Sequence, residues 1–481
     1  MISPRATVPL VLLLLSGCMV GPDYTPPQAA LPTKFGEGGP KSNGNVTQAP
    51  WWNAFRDSRL NGYVNEGLAQ NLTVLQAVER INAAEANVII AGAGGFPQLT
   101  TSADATISGT AGGLRQTSGS IKSYGGGATA SWLLDFWGQV RRSRESATAQ
   151  LGAAYANVDV ARLALLNDVV STYIDARFFQ ERIAISRENL KSRRDTLELT
   201  KFQLEAGAAS RLDVVQAEGL VNSTLSEIPP LEINLRVAIH RLSTLLGLPA
   251  STLMADMLKG APQPVARYNV NSGIPADLIR NRPDIRQAEL QLASATADIG
   301  VAESQLFPTI QLSGAISPGH SSGPLQSGWL SPWSFGPTLV LPILDGGALR
   351  ANVDIATSSA RQQYLVWKQT VLSAVEEVEN ALAAVKRDVQ TEQALRATVR
   401  SNQEALELST ASYKDGASSL LDVLDAQRNV SDSQALLAAA IQQTARDFVA
   451  LNVAIGGGYA PAGAPVANPT GVSAATAIPK T

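Results

Sequence analysis

The sequence predicts a mainly α-helical fold with a small β part, built twice in tandem, and three observations predict it. Long stretches rich in Ala, Leu, Gln, Glu and Arg lack proline, and these residue types favour helix. A motif near residue 207 returns in order near residue 416. Each copy also carries two short segments of β character around a Gly/Ser/Thr-rich loop.

Residues 1–17 read as a secretory signal peptide. Arg5 precedes the apolar run from Val8 to Leu15, and small residues follow. That run is too short to cross a bilayer, which takes ~20 apolar residues in a helix. Leu15-Ser16-Gly17-Cys18 looks like a bacterial lipobox, and Cys18 is the only cysteine of the chain. A lone cysteine excludes an internal disulfide and a cysteine metal site. The expectation is acylation of Cys18, whose buried methylenes contribute ~0.8 kcal/mol each. Met19 stands where Asp would resemble an inner-membrane retention signal, which favours the outer membrane. Residues 18–58 then form an extended, lipidated segment. No later apolar run can span a membrane as a helix, so any crossing must be a closed β-barrel. With 38 Lys+Arg against 41 Asp+Glu, the chain offers no basic face for nucleic acid.

The duplication is read directly. Gly207-Ala208-Ala209-Ser210-Arg211-Leu212-Asp213-Val214 and Gly416-Ala417-Ser418-Ser419-Leu420-Leu421-Asp422-Val423 stand 209 residues apart, as do Leu246-Gly247 and Ile455-Gly456. Gly138 and Gly347 also stand 209 apart, whereas Phe96-Pro97 and Phe307-Pro308 upstream stand 211 apart, so the length change falls between Phe96 and Gly138. The copies are expected at 59–247 and 275–456, joined by a Pro/Gly connector at 248–274 and followed by a disordered tail at 457–481.

Within each copy a helix comes first, over 72–91 and 283–306. Pro283 suits a first helical position and Asp284 the positive end of the helix dipole, and Phe-Pro ends each helix. Four β segments follow in two pairs, 98–108 with 124–134 and 309–317 with 333–341. Ile310, Leu312, Gly314 and Ile316 alternate with Thr309, Gln311 and Ser313. Such lengths fit transmembrane strands of ~9–11 residues, and equally an ordinary hairpin on a soluble core. Trp132, Trp137, Trp329 and Trp333 cluster at these segments, as interface girdles do. Next come proline-free helices over 138–205 and 347–415, each ~100 Å long at ~1.5 Å per residue. Leu372, Val375, Val378, Leu382, Val385 and Val389 mark a packed face on the second. Return helices cover 210–246 and 419–455, the first expected to be interrupted at Pro229-Pro230. Helices this long need lateral neighbours.

Taken in order, several motifs resemble those of the outer membrane factor family, TolC-like proteins, and its lipidated NodT-type branch. They are Cys18 with Val20-Gly21-Pro22-Asp23-Tyr24, Arg282-Pro283-Asp284-Ile285-Arg286-Gln287-Ala288-Glu289, Phe307-Pro308, and Leu421-Asp422-Val423-Leu424-Asp425-Ala426-Gln427-Arg428. The resemblance implies a homotrimeric channel-tunnel: a twelve-stranded β-barrel in the outer membrane, four strands per chain, continuous with a long periplasmic α-helical barrel. It implies a passive export duct for drugs or other small toxic compounds, working with a periplasmic adaptor and an inner-membrane resistance-nodulation-division pump. The covalent lipid on Cys18 is the only attached group expected, with no cofactor and no metal.

The resemblance also assigns sites. Leu421, Asp422, Asp425 and Arg428 would form the periplasmic gate, with Asp422 and Asp425 on one helix face and carboxylates ringed around the axis in a trimer. From the residues alone, the same acids read as a solvated face near a helix start. Asp213 and Tyr413 would form a latch, while Ser418 stands where TolC carries a second latch residue, an Arg. The turns at Gly207, Ser210, Gly416 and Ser419 would meet the adaptor, and their glycines also suit helix ends.

Other functions fare worse. The two histidines, His240 and His320, lie in non-equivalent places and have no cysteine partner, which argues against a catalytic triad. Gly125-Gly126-Gly127 lacks the Lys-Ser/Thr of a phosphate-binding loop. A helical lipoprotein scaffold would explain the helices but not the repeated hairpins. Type I protein secretion through the same kind of duct stays open.

Overall fold

The structure, a computed structural model, describes residues 19–37, 46–109, 120–266, 275–322 and 327–463. Cys18 and the signal segment lie outside these residues. The first copy runs α1 (Ser58–Gln70), α2 (Leu72–Ala93), β1 (Gln98–Gly109), β2 (Ser120–Leu134), α3 (Gln139–Glu205) and α4 (Arg211–Leu245). Short helices α5 (Met254–Met257) and α6 (Pro275–Asn281) follow. The second copy runs α7 (Pro283–Ser304), β3 (Thr309–Ile316), β4 (Gly319–Ser322), β5 (Ser327–Leu330), β6 (Trp333–Val340), α8 (Ala348–Lys414) and α9 (Leu420–Ala454).

Both sequence offsets reappear in the elements. Helices α2 and α7 have 22 residues each, α3 and α8 have 67, and α4 and α9 have 35. The first pair starts 211 apart and the other two start 209 apart.

Four expectations need correction. Pro229 and Pro230 lie inside an unbroken α4 rather than interrupting it. Each proline costs a helix ~3 kcal/mol through a lost N–H and a ring clash. Burial on both sides, by Leu220, Val221 and Thr224 before and Leu235, Ala238 and Ile239 after, offsets that cost, because packing supplies most helical stability in a folded chain. Second, the tail does not begin at 457. Trp51 Nε1 donates to the Gly457 carbonyl at 3.1 Å, and the Tyr459 hydroxyl donates to the Asn281 carbonyl at 2.9 Å. The Ala462 amide donates to Asp159, so the described residues 457–463 are held in place. Third, the strands of the second copy continue past Pro318 and begin before Pro332, as β4 and β5. Fourth, α1 and α6 were not foreseen. Gly62 and Gly67 weaken the helical pattern of α1, whose start is fixed by Asp57, which accepts from the Arg59 and Leu60 amides.

The chain forms two compact units. One comprises residues 19–28, Arg80–Ala154 and Gln287–Lys368, and holds the sheet. The other comprises Ala29–Glu79, Tyr155–Arg286 and the described residues from Gln369 on. Its core is aromatic: Trp51, Trp52, Phe55, Tyr63, Tyr173 and Phe448 are buried with Val169, Val170, Ile239 and Leu242. Phe448 meets Trp51 and Phe55 edge-on at centroid distances of 6.1 and 5.5 Å. Each such ring contributes roughly 1.5–3 kcal/mol by burial. Buried Arg177 lies over Tyr173, 4.9 Å from the ring centroid.

Beside this core, Asp447 of α9 is buried against Asp388 of α8. Burial first, then the hydrogen bond with Asp388, pushes the Asp447 carboxyl up to about 7. Gln443 donates to its Oδ1 at 2.8 Å, and its Oδ2 has no donor unless the two acids share a proton. The folded group therefore keeps a proton that the unfolded one loses near pH ~4. Stability is full below that value and falls as pH rises through the window from ~4 to ~7. Melting temperature is expected to drop from pH 5 to pH 8 in the wild type and much less in Asp447→Asn. An equal drop in both would contradict the shared proton.

Candidate functional site: a two-faced sheet, an amino-terminal clamp and two helical turns

The sheet keeps one register throughout. In β1 and β2, Gln98 pairs with Ser131 and Gly109 with Ser120. In β2 and β3, Ala128 pairs with Ile316, and the same register carries on into β4, where Tyr124 pairs with His320. β3 pairs with β6 and β4 with β5, again in one register, since Ile316 meets Trp333 and Gly319 meets Leu330. The two prolines only interrupt the ladder: the Pro318 carbonyl accepts from Gly126 and the Pro332 carbonyl from Ser317. β3–β4 and β5–β6 thus behave as two long strands, giving four in all, with outer edges at β1 and at β5–β6.

Directly paired residues share a face, so the register sorts every side chain. One face carries Leu99, Ile107, Tyr124, Trp132, Ile310, Leu312, Ile316, Trp333, Phe335 and Leu339. The other carries Gln98, Thr100, Ser102, Asp104, Thr106, Ser123, Thr129, Ser131, Gln311, Ser313, Ser334 and Thr338. Trp333 is 77% and Phe335 72% exposed. An apolar face of that extent needs a cover. Lys122, on the apolar face, lies near the strand end remote from Leu134, where a long side chain can reach polar surroundings. Among the described residues no helix is long and apolar enough to span a bilayer.

At the junction of β2 and α3 the amino-terminal segment is clamped. The Val20 amide donates to the Trp137 carbonyl at 3.2 Å. The Arg142 guanidinium, 1% exposed, donates to the Val20 and Gly21 carbonyls, to Asp23 and to Glu145. Burial alone would lower the Arg142 guanidinium, but its bonds to Asp23 and Glu145 outweigh that and hold it above its ordinary value. Gly21 has φ +87°, and a Cβ there would lie 2.4 Å from the Gly300 Cα. A Cβ on Gly138, at φ +83°, would strike Met19 at 2.7 Å. Farther along, the Tyr24 hydroxyl donates to Glu289 at 3.3 Å, and burial, then that carboxylate, keeps the phenol well above its usual range. The segment Val20 to Tyr24 was legible as a motif, but its partners Arg142 and Gly300 were not. A polar residue one turn into a helix carries no signal that it reaches 120 residues back.

The two helical turns are near copies of each other. Gly207 and Gly416 have φ of +76° and +74°. Each is followed by an amide that reaches back five residues, from Ala208 to Gln203 and from Ala417 to Ser412, both at 2.8 Å. That is the glycine-ended helix cap. Ser210 and Ser419 then start the return helices as capping boxes. The Asp213 carboxylate accepts from the Ser210 amide and hydroxyl at 2.8 and 2.7 Å, and Asp422 does the same with Ser419 at 3.1 and 2.9 Å.

These bonds correct the expected latch. The Tyr413 hydroxyl donates to Gln203 and not to Asp213, because the helix start occupies the Asp213 carboxylate. Tyr413 still ties the end of α3 to α8, inside a small core with Leu197, Val214, Leu220, Leu420, Val423 and Leu424. Ser418 makes only a local bond to the Ser409 carbonyl. Of the expected gate residues, Leu421 is 51% exposed, and Asp425 pairs with Arg428 one turn on at 2.6 Å. Leu421 and Arg428 line a groove of about 300 Å³ with Gln216, Gly219, Leu220 and Ser223. Gln427 was legible as part of a motif but its contact was not: its buried amide donates to Thr196 at 2.9 Å and joins α9 to α3.

Comparison with known proteins agrees with this anatomy. The family model described as outer membrane efflux protein matches residues 63–248 and again 274–457. The two matches follow the two copies. The chain is similar to nodulation protein T of Rhizobium leguminosarum bv. trifolii, at 56% identity over 95% of this chain and 98% of that one. It is 32% identical to outer membrane protein OprJ of Pseudomonas aeruginosa over 94% of this chain and 95% of that one. Among solved structures, the outer-membrane channel OprN superimposes with a TM-score of 0.82 at 31% identity, covering 92% of this chain and 99% of that one.

Proposed function

We propose a role that proceeds from one premise: this chain belongs to the outer membrane efflux protein family. It is an outer-membrane efflux component with a TolC-like channel fold, a duct and not an enzyme. Three copies join their sheet edges into a twelve-stranded barrel, with the apolar face toward lipid and the polar face toward the lumen. The long helices close into a periplasmic tube that receives cargo from an adaptor and an inner-membrane resistance-nodulation-division pump. The chain is anchored by lipid on Cys18, beside the clamped segment that begins at Met19. Leu421, Asp422, Asp425 and Arg428 form the periplasmic gate. The turns at Gly207, Ser210, Gly416 and Ser419 meet the adaptor.

The observation that carries this reading is the two-faced sheet whose outer edges have no strand partner among the described residues. Open edges in an isolated sheet invite pairing with another chain, and only a closed barrel satisfies backbone groups in lipid. Helix α4 supports the same conclusion, with Leu212, Val215, Ile233 and Val237 exposed along one stripe. That stripe asks for a lateral neighbour.

The functional test is deletion of the gene followed by a panel of toxic compounds. Sensitivity is expected to rise, to be restored by the wild type and to be restored poorly by Cys18→Ala. No change across the panel would count against efflux. The gate is tested with Asp425→Ala, because Asp422 also caps its helix. Asp425→Ala is expected to raise single-channel conductance and lower cation preference, and unchanged values in planar bilayers would remove it from the gate.

A further inference from the structure

The polar face of the sheet carries one charge. Among the described strand residues, Asp104 is its only ionisable side chain, and the rest are Ser, Thr, Gln, Gly and a few apolar residues. The wall beside Asp104 is hollowed. On this face Gly125 pairs with Asp104 and Gly127 with Ser102 in β2 and β1, and a niche of about 260 Å³ opens beside them, lined also by Ser123, Ser317 and Ser321. Asp104 Oδ1 stands 3.8 Å from where a Gly125 Cβ would be. The Ser317 and Ser102 hydroxyls stand 3.3 and 3.7 Å from the corresponding point on Gly127. A carboxylate and hydroxyls thus converge over bare backbone, and no basic group among the described strand residues of that face opposes them.

We propose that Asp104 sets the charge preference of the β-barrel lumen, favouring solutes that carry an ammonium group. This rests on the barrel reading given above and goes beyond it, since it adds a selectivity element on the sheet itself. In a trimer three such carboxylates face one lumen at the same height. At low ionic strength their field reaches ~30 Å and covers the lumen, whereas at 1 M salt it is confined to ~3 Å. The niche lets an organic cation lie against Asp104 with the serine hydroxyls beside it. The observation behind this is a single carboxylate beside Gly125 and Gly127 on a face with no other ionisable group among the described strand residues.

The test is single-channel recording of the full-length protein in planar bilayers under a low-salt gradient, with Asp425→Asn present throughout to remove that carboxylate of the helical turns. Tetraethylammonium chloride and potassium chloride are the probes. Asp104→Asn is expected to lower the cation-to-anion permeability ratio about twofold or more for both salts. Asp104→Lys is expected to invert it, and both effects should fade at 1 M salt. Channels that conduct normally with ratios unmoved by Asp104→Asn would overturn this proposal and leave the duct intact. Absence of conductance from every form would count against the duct, and would take the proposal with it.

Discussion

Replacing Leu312 with Arg is expected to abolish assembly in the outer membrane, while replacing its chain neighbour Ser313 with Arg is expected to be tolerated. The two residues are adjacent in β3 and point to opposite faces. Leu312 pairs with Trp132 and Pro337 on the apolar face, and Ser313 pairs with Ser131 and Gly336 on the polar one. An Arg facing lipid costs up to about 2–4 kcal/mol, rising toward the bilayer midplane, and the cost is incurred in each of the three copies. An Arg in a wet lumen costs little. The amount of protein in washed outer membranes reads the difference. Similar levels for the two variants would mean that the faces are not lipid and lumen.

Arg142→Ala is expected to release the amino-terminal segment and to lower the melting temperature. The guanidinium is buried and supplies donors to two backbone carbonyls and two carboxylates. Asp23 itself is 82% exposed, so that ion pair contributes little. The loss comes mainly from the bonds to the Val20 and Gly21 carbonyls, charge-assisted bonds that contribute about 1.5–3 kcal/mol each at most. Arg142→Lys should not rescue, because a single ammonium cannot reproduce the fork of donors. Gly300→Val should release the same segment by a different route, since its Cβ would lie 2.9 Å from both Arg142 and the Val20 carbonyl. Limited proteolysis within residues 19–28 reports the release. Equal protection in all three variants would show that the clamp does not hold the segment.

Much of this architecture is written in local pattern. The doubled Gly-Ala-x-Ser-x-Leu-Asp-Val turn announced both copies because each position is fixed by a nearby requirement. Glycine supplies the positive φ, and serine with aspartate supplies the capping box. Helices without proline announced themselves for the same reason. Strand ends did not, since Pro318 and Pro332 read as breaks while the register on either side carries straight through them. Contacts between distant segments were also hidden. Nothing near Tyr413 distinguishes Gln203 from Asp213 as its partner, and only the cap at Ser210 reveals that Asp213 is already engaged. The two acids proposed for the gate illustrate a further limit: one residue type, three apart, serves a helix start at Asp422 and an intrahelical ion pair at Asp425.

The decisive quantity is the number of chains in the particle extracted from the membrane, measured by native mass spectrometry in detergent. Each chain has a sequence mass of 50.5 kDa before processing and lipidation. Three chains per particle are predicted, because four strands cannot close on themselves and every open edge must find another copy. A particle of one chain, stable and folded with its strand edges unpaired, would contradict the account.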